Sequence, residues 1–69
     1  GQAGEAVETL TLLLGGELTE AQQARAFFLL ATAHAALGHV DDAKSALVSA
    51  AERGYDPKAC AALEETLNR

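Results

Sequence analysis

Apolar residues at Ala3, Ala6, Val7, Leu10, Leu13 and Leu14 alternate with Glu5, Glu8, Thr9 and Thr11, tracing a stripe of 3.6-residue period with a polar back. The spacing predicts a helix over about residues 3–14. Gly15-Gly16 ends it, because glycine tolerates the left-handed backbone that satisfies terminal carbonyls. Thr19 followed by Gln22 has the form of a capping box, in which each side chain meets an otherwise unpaired backbone group of the first turn. The helix it opens runs to Leu37 and is apolar nearly all round, through Phe27, Phe28, Leu29, Leu30 and Ala31, until Gly38 stops it. An all-round apolar helix must be covered on several sides.

A third helix begins near Asp41-Asp42, whose carboxylates favour the positive end of the helix dipole. Its stripe is Ala43, Ala46, Leu47, Ala50 and Ala51, closed by Arg53 and Gly54. Asp56-Pro57 restarts a helix at once, with Asp as cap and Pro at the first helical position. This fourth helix, about residues 57–68, has one dry stripe of Cys60, Leu63 and Leu67 and wet faces elsewhere. Links this short set each helix antiparallel to its neighbour, and no strand signal competes.

The chain also matches itself. Gly-Gln-Ala-Gly-Glu-Ala at residues 1–6 answers Gly-His-Val-Asp-Asp-Ala at residues 38–43, an offset of 37 residues. The same offset pairs Ala6 with Ala43, Leu10 with Leu47, Leu18 with Tyr55, Thr19 with Asp56 and Ala24 with Ala61. Periods of this size belong to stacked supersecondary units, none able to bury its apolar face alone.

Length and composition narrow what holds the fold. A chain of 69 residues is one domain at most and buries only about 60% of the surface its unfolded form exposes. A single cysteine excludes an internal disulfide, and no cluster of Cys and His suggests a metal, so association is the remaining support. With Phe27, Phe28 and Tyr55 as its only aromatics, the core is built from Leu and Ala. A net charge of −5 argues against nucleic acid or an anionic membrane surface as main partner. No apolar stretch approaches the about 20 residues of a membrane span. Lacking an initiating Met, the chain reads as a segment of a longer protein, and its compartment is open. One unpaired Cys leans towards a reducing, cytoplasmic interior.

The segment from Ala24 to Ala51 resembles the tetratricopeptide repeat. Phe27, Leu30, Ala31, Gly38, Ala43 and Ala50 fall on that family's large, leucine, small, glycine and alanine positions, and His34 stands where an aromatic is usual. The related Sel-type repeat has a similar period and an inter-repeat segment much like AAERGYDPKA, but its longer Gly-rich insertion is missing here. The resemblance implies an all-α fold of about four helices, antiparallel helix-turn-helix repeats wound into a right-handed α-α superhelix. Residues 1–18 would be the second helix of a preceding repeat, residues 19–55 a complete repeat, and residues 56–69 a C-terminal capping helix.

It also implies a function. In such arrays the first helix of each pair lines a concave groove that holds a peptide or helix of another protein. Carried onto this chain, that partner-binding face is Arg25, Phe28, Thr32, Ala35 and Ala36. Phe28 and Thr32 stand where carboxylate-clamping members place Lys and Asn, so an apolar side chain or amphipathic helix suits the groove better than an acidic tail. The alternative is self-assembly, with the apolar helices covered by further copies in a homo-oligomer or by the rest of a parent chain.

No phosphate loop, metal-ligand spacing or nucleophile–base pairing is legible, so neither catalysis nor a cofactor is expected. Cys60, on the dry stripe, reads as a buried inert thiol. His34 reads as a packed, hydrogen-bonded residue rather than a ligand or switch, and His39 as solvated in a turn. Asp41-Asp42 and Glu64-Glu65 do not face each other as adjacent helical residues, which leaves dipole pairing and solvation as their roles.

Overall fold

The computed structural model describes residues 2–69, which form four α-helices and, among those residues, no strand. They are α1 (Gln2–Leu14), α2 (Glu20–Ala36), α3 (Val40–Glu52) and α4 (Pro57–Leu67). The expected helices are all present, each within a few residues of its anticipated ends. The correspondence of Gly1 with Gly38 lies outside the described residues.

The caps explain the boundaries. Thr19 Oγ1 accepts from the Gln22 N–H at 3.1 Å and Gln22 Oε1 accepts from the Thr19 N–H at 2.9 Å, a closed capping box. Asp56 Oδ1 accepts from the Lys58 N–H at 3.0 Å, and Pro57 occupies the first turn, where its missing N–H costs nothing. Thr19 and Asp56, paired by the sequence repeat, are thus both helix caps.

α2 and α3 end in the same way. Gly38 (φ 79°) donates to the Ala35 carbonyl at 3.1 Å while His39 donates to the His34 carbonyl at 2.9 Å. Gly54 (φ 84°) and Tyr55 repeat the pair, donating to Ala51 and Ala50 at 3.0 and 3.1 Å. Both are Schellman ends, in which the left-handed glycine turns the chain back across the last turn. Gly15 and Gly16 behave differently from expectation. Neither adopts positive φ; they close α1 with tight i→i−3 bonds to Leu12 and Leu13 at 3.2 and 3.0 Å.

α2 is the hub. It packs against α1 on one side and α3 on the other and touches α4, while α1 contacts neither α3 nor α4. The buried cluster is Leu30, Ala31, Ala43, Ala46, Leu47, Cys60 and Leu67, with Val7, Leu10, Leu14, Phe27 and Phe28 among the half-buried residues packed on it. Ala31, Ala43 and Ala50 are completely covered, so the helices meet through methyl groups and the layer is thin. The Cα extents of 35 × 28 × 15 Å describe a slab little thicker than one helix. α1 buries no residue completely.

A candidate partner-binding face along α1 and α2

Residues at 3- and 4-residue spacing share one face of a helix, and Arg25, Phe28, Thr32, Ala35 and Ala36 fall on one arc of α2 by that rule. Their surroundings divide them. Arg25 is exposed and borders a shallow depression with Leu10, Leu13, Leu18 and Leu29. Thr32 and Ala36 border the adjoining groove, of about 620 Å³, with Ala3, Ala6, Leu10 and Leu29. Phe28 and Ala35 are half-buried and packed onto the core.

Phe28 is not an open anchor. Its ring stacks on Tyr55 with centroids 4.4 Å apart and planes 17° from parallel, which spends one face on the link between α3 and α4. The Thr32 hydroxyl is likewise occupied, donating to the Phe28 carbonyl at 3.1 Å. Leu29, 44% exposed, is the large apolar side chain common to the depression and the groove. Together with Leu10 and Leu13 it makes a continuous apolar strip where α1 crosses α2. Helical periodicity groups Phe28 with Thr32 and Ala35, but the cover of each side chain is set by the neighbouring segment that reaches it, which for Phe28 is the link holding Tyr55.

The internal repeat gives this strip a meaning. Ala43, Ala46, Leu47 and Ala50 of α3 are all buried. Their counterparts 37 residues earlier are Ala6, Thr9, Leu10 and Leu13 of α1. Of these, Ala6 and Leu10 are half-buried, Thr9 is exposed and Leu13 is 50% exposed. α3 is flanked by α2 and α4, whereas α1 has α2 alone. The residues of α1 that the repeat pairs with the buried stripe of α3 are therefore less covered than their counterparts.

Other polar groups are tied into the fold. Arg53 donates from Nε to Gln23 Oε1 at 3.2 Å and from Nη1 to the Ser49 carbonyl at 3.0 Å, with its guanidinium 4.5 Å over the Phe27 ring. Cys60 is buried; desolvation first, then the carboxylates of Asp56 and Glu64, raise its thiol above the ordinary value, which keeps it protonated and a poor nucleophile at neutral pH. His34 departs from expectation. Its Nδ1 is buried with no hydrogen-bond partner, although a packed histidine normally has one. A ring nitrogen of His34, one of His39 and a carboxylate oxygen of Asp42 lie within 4.8 Å of one another, a grouping that the residue spacing does not reveal. No helix among the described residues is long and apolar enough to cross a membrane. No protein-family model, curated protein or solved structure matches the chain.

Proposed function

We propose that this chain is a protein–protein interaction module, a tetratricopeptide-like piece of a right-handed helical array that presents an apolar surface to a helix of another protein. The observation that supports this reading is the part-exposed apolar strip of α1, whose counterparts on α3 are buried. Burying Leu13 and Leu29 against a partner would contribute about 1.5–3 kcal/mol each at most, since both are already part-covered. The partner that fits is a helix rich in leucine and alanine, as α2 is. Nothing in this reading requires catalysis or a cofactor.

Self-assembly rests on the same face, with a second copy as its cover. Two measurements separate the readings. Light scattering over a wide concentration range gives the molar mass, and calorimetric titration with a synthetic peptide of residues 19–37 offers α1 the helix it lacks. The module reading expects a monomer that binds the peptide saturably and loses it on Leu13→Glu or Leu29→Glu, with helical circular dichroism retained. A dimer split by those same variants moves the function to self-assembly. Peptide binding indifferent to both substitutions, or none at all, overturns the proposal.

A further inference from the structure

A Schellman end brings two side chains together, because the N–H two residues past the cap bonds back across the last helical turn. The residues so joined at the end of α2 are His34 and His39, through the 2.9 Å bond from the His39 N–H to the His34 carbonyl. An apolar pair commonly fills this contact. At the end of α3 the corresponding residues are Ala50 and Tyr55. At the end of α2 they are two imidazoles, with ring centroids 5.9 Å apart.

Three further features make the pair more than a packing contact. His39 occupies the N-cap position of α3 yet makes no side-chain capping bond, so its ring is free of the usual duty of that position. Asp42, in the first turn of α3, brings a carboxylate oxygen within 4.8 Å of a nitrogen of each ring. The Nδ1 of His34 is buried and has no hydrogen-bond partner, which is unfavourable unless something meets it.

We propose that His34, His39 and Asp42 form a binding site for a late first-row divalent ion, Zn²⁺ foremost. Two imidazoles and one carboxylate are a donor set for such ions, with imidazole suiting Zn²⁺, Cu²⁺ and Ni²⁺ better than Mg²⁺ or Ca²⁺. Metal–ligand bonds of about 2.0–2.2 Å place tetrahedral donors roughly 3.3–3.6 Å apart. A separation as wide as 4.8 Å must therefore contract by roughly 1.2–1.5 Å. His39 and Asp42 are exposed and free to turn inwards, while His34 is half-buried and held by α2. An ion taken by His34 Nδ1 would supply the partner that atom lacks. Three protein donors leave one tetrahedral position open. The ion would pin the end of α2 to the start of α3, bracing the helix pair that carries most of the core.

Calorimetric titration of the full chain with Zn²⁺ alone tests the site, with His39→Gln and Asp42→Asn as the deciding variants. Both residues are exposed, so these changes leave the core intact, which circular dichroism checks. His34→Gln is the third variant, and Cys60→Ser removes the only thiol as a competing ligand. The expected result is one ion per chain, an affinity at least about tenfold weaker in each of the three site variants, and no change in Cys60→Ser. Zn²⁺ should also raise the melting temperature of the parent chain and not that of His39→Gln. Absence of binding, equal binding in His39→Gln and Asp42→Asn, loss in Cys60→Ser, or one ion per two chains would each overturn the proposal.

Discussion

Four glycines flank the interhelical turns, and they divide by backbone angle. Gly38 and Gly54 have φ near 80°, and a Cβ at either would meet nothing within 4 Å, so the cost of a side chain there is conformational alone. Gly38→Ala should destabilise the chain by about 1–2 kcal/mol, the penalty of holding an L-residue in the left-handed region. Gly15→Ala should be neutral or stabilising by about 0.4–1 kcal/mol. Its φ is ordinary, its new Cβ would stand 3.4 Å from the Leu12 carbonyl, and the unfolded chain loses freedom. Urea denaturation of the two variants checks the contrast; equal losses would mean that α1 ends by a different device. From sequence alone the four glycines look equivalent, as helix stops. The left-handed φ goes with a bond back over the last turn from the residue after the glycine: His39 and Tyr55 make it, and Glu17 does not.

Helices are the scale at which this sequence is most legible. Capping residues are local chemistry, so the Thr19 box and the Asp56-Pro57 start could be read without knowing any neighbour. Burial patterns on α3 followed its alanine stripe for the same reason, except Ala51, which is exposed. The cover of α2 was not legible, because Phe28 and Leu29 are one residue apart and equally apolar. Only the position of Tyr55 spends one on stacking and leaves the other open. The His34–His39–Asp42 grouping was hidden similarly, since its spacing crosses a turn whose geometry a helical wheel does not contain. Arg53 is another such link, read as the charge that closes α3 but joined to α2 through Gln23 and Phe27. Arg53→Lys should lose most of what Arg53→Ala loses, about 1–2 kcal/mol. An ammonium carries no flat fork to bridge Gln23 and Ser49 while lying on a ring. If lysine restores parent stability in thermal melts, the stacking and the fork contribute little.

The whole molecule exposes 4551 Å² for 7.1 kDa, where a compact monomer of that mass exposes roughly 4,100 Å². The excess fits a slab with an unpartnered helix at one end. Stability should then be graded along the slab. α2 and α3 hold five and four buried residues, α4 holds Cys60 and Leu67, and α1 holds none. Helices with few buried apolar groups open locally at a free energy below that of global unfolding. Amide hydrogen exchange of the isolated chain should therefore show slowest exchange at the α2–α3 contact, intermediate rates in α4 and fastest rates in α1. Adding the peptide of residues 19–37 should slow α1 selectively, because a helix laid on Leu10 and Leu13 closes its open side. Protection of α1 equal to that of α3 in the chain without peptide would mean the strip is already covered in solution. A second copy would then be the helix that α1 lacks, and the surface offered to other proteins would have to lie elsewhere on the slab.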